Sequence, residues 1–254
     1  MGSVNLATAN VAGVSGVCQL FVTCLVDGFS PEVGVATVRL LERAGYEVAF
    51  AFDQTCCGQP AFNAGYAEQA IAMAGYTVEV LDSTHGPIVV PSGSCADMLI
   101  HHIPGLLADR PTARAAHRVA ARTVELTRFL ADHAVPPDGV SIDGTVAFHR
   151  SCHGLRGLGL EGVGEGLLDG AGVQRCDLAG ADECCGFGGL FSLELPELSS
   201  AMLETKLQTI EDSGADIVVG GDVSCLMHIA GGLHRRGSSI RAVHIAQILA
   251  EAHE

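Results

Sequence analysis

The sequence predicts an α/β protein of two pseudo-symmetric halves, each a small parallel sheet flanked by helices, with cysteines at the C-terminal ends of strands. Two observations carry this. First, the cysteines repeat: 31 residues separate Cys24 from the pair Cys56-Cys57-Gly58, and 31 separate Cys152 from Cys184-Cys185-Gly186. One further cysteine closes each set, Cys95 after a gap of 37 residues and Cys225 after a gap of 39. Self-similarity on this scale marks duplicated units. Second, short apolar runs alternate with helical patterns, as parallel βαβ units require.

Along the first half, Val17 to Val22 reads as a strand running into Cys24. Ser30 offers an N-cap and Pro31 suits the first helical position, with Glu32 favoured at the positive helix end. Val33, Thr37, Leu40, Leu41 and Ala44 share one face, and Gly45 is a stop. Glu47 to Phe52 is the next strand, residues 60–80 are largely helical, and Ile88 to Val90 is a buried strand before Cys95. Ala113 to His133 reads as one helix.

The second half repeats the plan. Thr145 to Arg150, Val173 to Leu178 and Ile217 to Val219 are strands preceding Cys152, Cys184-Cys185 and Cys225. A helix containing Leu203, Leu207 and Ile210 ends near Gly214, and Ile240 to Val243 with a helix from about His244 closes the chain. The expected organisation is a mobile tail over 1–16, repeats over 17–135 and 145–254, and a linker over 136–144, where Pro136-Pro137-Asp138-Gly139 is the best turn signal.

Composition narrows the function. The 254 residues carry 29 acidic against 14 basic side chains, a formal charge of −15, which repels a phosphate backbone and argues against nucleic-acid binding. No uncharged apolar run reaches the roughly 18 residues of a membrane span. Met1 to Gly16 carries no Lys or Arg, so a secretory signal is not apparent and the cytoplasm is the expected compartment. The ten cysteines do not suit a disulfide framework, which belongs to small secreted scaffolds.

Topology of this kind gathers every cysteine set at one sheet edge, where open α/β sheets place ligands. Thiolates are soft donors for zinc, copper(I) or iron–sulfur clusters, in two related sites or one shared site. Paired C-x₂-C zinc knuckles and the closely packed ferredoxin spacing are both absent. Adjacent cysteines cannot easily serve one small ion but can reach two irons of a larger cluster. The glycine after them lets backbone approach, and Gly186-Phe187-Gly188-Gly189 extends that cradle.

On these residues the chain is similar to the CCG cysteine-rich domain found in the cluster-bearing subunit of heterodisulfide reductase and in related iron–sulfur oxidoreductase subunits, from about Val17 to the C-terminus. The stretches Cys56-Cys57-Gly-Gln-Pro-Ala-Phe-Asn-Ala-Gly65, Cys184-Cys185-Gly-Phe-Gly-Gly189 and Cys225-Leu-Met-His-Ile-Ala-Gly231 look closest to the lactate utilization protein A group, the duplicated branch without an attached ferredoxin domain. The resemblance implies a non-autonomous electron-transfer subunit in a cytoplasmic complex. Its partners would be further iron–sulfur or oxidoreductase subunits that together oxidise L-lactate to pyruvate. It implies one or two [4Fe–4S]-type clusters on Cys24, Cys56, Cys57, Cys95, Cys152, Cys184, Cys185 and Cys225; in the reductase each half of the domain pair holds a noncubane cluster.

The fullest family pattern ends in C-x₂-C, five thiols per site. Here Met98 and His228 stand at the fifth position. Four thiolates still suffice for an ordinary cluster; His228 is the better ligand of the two substitutes. Cys18 and Cys176, outside the repeat, read as small buried hydrophobes. His153 is a candidate donor to a thiolate or to a carboxylate substrate. Gly157-Leu-Gly159-Leu-Glu-Gly162 spells a dinucleotide fingerprint, but Cys152 and His153 intervene after the strand, so the stretch to Gly172 reads as a mobile glycine-rich loop. The alternatives are a thiol–disulfide redox enzyme and a zinc-binding scaffold.

Overall fold

Among the described residues, eight strands form two separate four-stranded parallel sheets. The computed structural model describes residues 16–133, 135 and 142–250; most of the expected tail (1–15) and linker (136–141) lie outside the described residues. The first sheet contains β1 (Gly16–Leu20), β2 (Tyr46–Phe50), β3 (Ile88–Val90) and β4 (Thr123–Glu125) in the order β2-β1-β3-β4. The second contains β5 (Val146–His149), β6 (Arg175–Cys176), β7 (Ile217–Gly220) and β8 (Arg241–His244) in the order β6-β5-β7-β8. Every pairing is parallel, with Gln19 opposite Ile88 in one sheet and Val146 opposite Ile217 in the other. Of the inner strands, β3 and β7 are buried along their whole length, which is why they read as unbroken aliphatic runs.

The strand order reverses beside the first strand of each half. β2 lies on one side of β1 and β3 on the other; β6 and β7 flank β5 in the same way. At such a switch point the connections leave in opposite directions and open a crevice past the strand ends. Cys24 and Cys95 follow β1 and β3; Cys152 and Cys225 follow β5 and β7. The duplicated spacing therefore delivers each set to one crevice.

The helices follow the sequence expectations with three corrections. Ala113 to His133 is not one helix: a helix at Ala113–Arg122 gives way to β4 and then to a helix at Leu126–Asp132. A three-residue strand is too short to leave a period-2 signature inside an alanine-rich helical pattern. The helical stretch after Cys57 is two helices, Gln59–Asn63 and Ala67–Asp82, broken at Gly65 where φ is +79°. The glycine-rich stretch after Cys152 is not a plain loop. It forms a π-helical turn at His153–Gly157 and a helix at Val163–Gly170.

The two halves exchange their last helices. Leu126–Asp132, which follows β4, packs on Val163–Gly170 of the second half. Ile245–Ala250, which follows β8, packs on Pro31–Arg43 of the first. Glu125 caps one exchanged helix by accepting from the N–H groups of Thr127 (2.7 Å) and Arg128 (3.2 Å). His244 Nδ1 caps the other, accepting from Ala246 N at 3.1 Å. One core therefore runs through both halves, joining Leu40, Leu41, Phe129 and Leu130 to Leu168, Ile245 and Leu249. Each fully buried aliphatic side chain contributes about 1.5–3 kcal/mol, so the halves hold a fixed relation. Arg43 adds a hydrogen bond to the Leu249 carbonyl at 3.0 Å.

The pseudo-twofold relation is closest at two helix starts. Ser92, three residues before Cys95, and Asp222, three before Cys225, are the N-caps of Gly93–Asp97 and Val223–Arg236. They meet directly: Ser92 Oγ donates to Asp222 Oδ2 at 3.2 Å, and Ser94 N to the same oxygen at 2.8 Å.

Candidate metal centres

In the first half, Cys24 sits at the N-terminus of the short helix Cys24–Phe29, capped by Thr23 Oγ1 accepting from Val26 N at 3.3 Å. Its Sγ lies 3.5 Å from that of Cys56, and the Cys57 and Cys95 Sγ atoms are 3.3 Å apart. The Cys56 thiol also interacts with Cys57, so the four thiols form a continuous chain. Cys24 is exposed, Cys56 half-buried, and Cys57 and Cys95 buried. The second half repeats this, with Cys152 joined to Cys184, Cys184 to Cys185 and Cys185 to Cys225. All eight predicted cysteines are thus brought together, four and four, and all ten in the chain are free thiols.

In each adjacent pair the surroundings favour the thiolate form of the first cysteine. Hydrogen bonds from Cys24 and then Cys57 pull Cys56 far below the ordinary thiol value, helped by Gly58 N–H and opposed by burial. Cys152 and then Cys185 do the same for Cys184. Cys24, Cys57, Cys152 and Cys185 are pushed up by donating to those neighbours and by burial. An anion stabilised by surrounding soft donors is the starting state for metal capture, because the thiolate is the ligand.

The glycine after each pair makes the approach possible. Gly58 (φ +85°) and Gly186 (φ +89°) direct N–H groups at Cys56 Sγ (3.5 Å) and Cys184 Sγ (3.4 Å). A Cβ at Gly186 would fall 2.6 Å from the Ser199 carbonyl oxygen. A cavity of about 230 Å³ borders Cys24, Cys56, Cys57 and Cys95 and is lined from the other half by Phe187, Leu190 and Leu193. Four convergent thiols with backbone N–H groups aimed at sulfur and open space beside them fit an iron–sulfur cluster by donor chemistry.

Two buried side chains distinguish the halves, and neither carries a signal in the sequence pattern. His149, the last residue of β5, is 1% exposed, and neither ring nitrogen has a hydrogen-bond partner. A ring nitrogen of His149 and the Sγ atoms of Cys185 and Cys225 lie within 4.8 Å of one another. Burial, then the charge of Lys206, lowers its pKa to about 4, so the ring is neutral. Three residues before Cys24 stands Phe21, fully buried in the apolar cluster that also contains Cys57 and Cys95. Lys206 is the second asymmetry. It is fully buried in the helix Pro196–Asp212, with Nζ donating to the Gly180 carbonyl. Met73 and Met202 stand in the same relation to Gly58 and Gly186, so Thr77 holds the corresponding place in the first half.

The remaining predicted residues take other roles. His228 Nε2 lies 3.4 Å from Ser199 Oγ, and its ring meets Phe187 edge-on; it is not in the group with Cys185 and Cys225. Met98 is fully buried in the first-half core. His153 has both ring nitrogens engaged, Nδ1 with Asp97 Oδ2 at 2.7 Å and Nε2 with Gln59 Nε2 at 3.0 Å. It ties the residue after Cys152 to residues just past Cys57 and Cys95. Burial raises the Asp97 pKa, but hydrogen bonds from His153 and His101 outweigh it and bring it to about 2. Asp97, His101, His102, His153 and Arg156 line an open cleft beside Cys152. Cys18 is fully buried, and burial raises its thiol to about 11. Cys176 is half-buried on the edge strand β6.

Residues 18–100 and 146–230 each match the cysteine-rich domain family designated CCG. Lactate utilization protein A of an Exiguobacterium species is 44% identical over 236 residues, covering 91% of this chain and 96% of that protein. The protein of the same name from Geobacillus kaustophilus is 44% identical over 234 residues, covering 91% and 97%. That from Bacillus cytotoxicus is 42% identical over 233 residues, again covering 91% and 97%. Among solved structures, a hypothetical protein from Helicobacter pylori aligns with a TM-score of 0.64 at 11% identity, covering 94% of this chain and 49% of that one, which shows a shared fold.

Proposed function

Since the chain belongs to the CCG cysteine-rich domain family, in the branch of lactate utilization protein A, we propose that it is an iron–sulfur electron-transfer subunit of a cytoplasmic complex oxidising L-lactate to pyruvate. The observation that carries this is the pair of four-thiol crevices, each at a strand-order reversal and each with a backbone N–H aimed at a thiolate sulfur. Cys24, Cys56, Cys57 and Cys95 would hold one [4Fe–4S]-type cluster, and Cys152, Cys184, Cys185 and Cys225 a second. Such a group supplies one-electron storage at a potential set by its charge, hydrogen bonds and exposure.

What this chain's own residues supply is position and environment. The exchanged helices fix the two crevices relative to each other, and the His153 anchor joins the second set to the first. Exposed Cys24 lies at the open side of its set, where a partner's redox group could approach. Partner oxidoreductase subunits would deliver the substrate's electrons. Among the described residues no helix is long and apolar enough to cross a membrane.

The test is anaerobic purification with iron, acid-labile sulfide and zinc measured per chain, and EPR on the same sample. About eight irons and eight sulfides are expected for two four-iron centres. Zinc without sulfide would overturn the electron-transfer reading in favour of a scaffold. Disulfide turnover by the isolated chain would favour a thiol–disulfide enzyme instead.

A further inference from the structure

The two centres are built from the same thiol plan but do not present the same donors. Just past the end of β1 a phenyl ring, Phe21, is fully buried in the same apolar cluster as Cys57 and Cys95. At the matching place on β5 an imidazole faces Cys185 and Cys225, with a ring nitrogen inside the same 4.8 Å group as both sulfurs. Both His149 nitrogens are buried and unpartnered. A buried polar atom left without a partner is costly, and native structures rarely keep one without a reason. The imidazole does not touch solvent, and the neighbouring Lys206 Nζ is committed to the Gly180 carbonyl. Within 4.8 Å of a ring nitrogen lie the Cys185 and Cys225 sulfurs, and with them whatever those thiols hold.

We propose that His149 is a nitrogen ligand of the iron centre on the second cysteine set, making that centre a mixed thiolate–imidazole site while the first is thiolate only. This rests on the iron–sulfur reading above. It also accounts for the fifth position. His228, in sequence the natural substitute for a fifth thiol, is turned to Ser199 and Phe187, whereas His149 reaches Cys185 and Cys225 from the end of β5. Imidazole is a neutral donor where thiolate is anionic, so a nitrogen-ligated centre carries less negative charge and is easier to reduce, as histidine-ligated [2Fe–2S] centres are relative to all-cysteine ones. The second centre then becomes the electron sink of the pair.

The experiment is pulsed EPR on the reduced, iron- and sulfide-reconstituted full chain, with and without [¹⁵N]histidine, beside His149→Phe and His228→Gln. The expected result is a hyperfine coupling from directly bound nitrogen that changes to the ¹⁵N pattern on labelling. It should vanish in His149→Phe, which carries the residue of the first half, and persist in His228→Gln. The labelled wild-type chain gives its answer even should His149→Phe fail to fold. Iron and sulfide bound to wild type without any nitrogen coupling would overturn the ligand assignment while leaving the cluster reading intact. A coupling lost in His228→Gln and kept in His149→Phe would move the assignment to His228 and overturn it equally. A chain that takes up no iron or sulfide at all would defeat both readings together.

Discussion

Replacing Gly186 by alanine and, separately, Gly58 by alanine sets two pseudo-equivalent positions against each other. Both residues are left-handed, at φ +89° and +85°, so each alanine bears roughly 1–2 kcal/mol of backbone strain. Their surroundings differ. A Cβ at Gly186 would lie 2.6 Å from the Ser199 carbonyl oxygen and 3.0 Å from Met202 Cβ, so the helix Pro196–Asp212 must move. At Gly58 the nearest atoms, Ala70 O and Met73 Cβ, are 3.4 Å away, an ordinary contact. Forced overpacking adds about 1–3 kcal/mol at Gly186 alone. The expected difference is about 2 kcal/mol, which for a chain of this size separates the two melting temperatures by about 4–8 °C. Thermal unfolding of the metal-free chains, followed by circular dichroism, measures it directly. Ser199 Oγ also donates to the Gly186 carbonyl at 2.8 Å, so Gly186→Ala should further loosen the N–H directed at Cys184. Equal melting temperatures, or a lower one for Gly58→Ala, would refute the reasoning from close approach.

Cys184→Ser should lower iron content by about half while the first centre's EPR signal persists, since the two sets share no ligand; full retention would remove Cys184 from the ligand set. Lys206→Thr, which installs the residue of the first half, should lower the reduction potential of the second centre and leave the first unchanged, because a buried cation stabilises added negative charge. Redox titration by EPR separates the two. Asp222→Ala should destabilise the chain by about 2–4 kcal/mol through loss of the helix cap and the stranding of Ser94 N, with Asp222→Asn costing less; urea midpoints would show the order. Glu125 is fully buried, and burial, with the Asp222 charge, raises its pKa to about 7 from an ordinary 4.5. Its folded form favours the proton, so this contribution is present below pH 4.5 and lost as pH rises through 7, a change of about 3 kcal/mol. Glu125→Gln should flatten that slope in urea midpoints taken at pH 5 and pH 8.

Much of the molecule was legible in the chain because it is written in local terms. The 31-residue gaps, the glycine after each cysteine pair, and the aliphatic runs before Cys95 and Cys225 specify which thiols meet, since parallel strands put their C-terminal ends on one edge. Pro31 opens its helix where end chemistry predicts, and the helix Pro196–Asp212 stops just before Gly214. β4 escaped because three residues, Thr123 to Glu125, are held in a sheet by pairing with Ile88 to Val90, a contact 35 residues away that no local period records. The exchange of the helices Leu126–Asp132 and Ile245–Ala250 was invisible for the same reason: an amphipathic helix declares that it will bury a face, not which half will receive it.

Sequence by itself determined the duplication, the fold class and the eight thiols. Only tertiary structure decided that the two sites differ. His149 and Phe21 occupy matching strand ends, and Lys206 and Thr77 matching helix positions, yet in the chain His149 is an ordinary residue at the end of a strand and Lys206 an ordinary helix-surface lysine. Their meaning comes from burial. A nitrogen with no partner and an ammonium taken out of water act strongly on whatever lies beside them, because neither solvent nor counter-ions screen the interaction there.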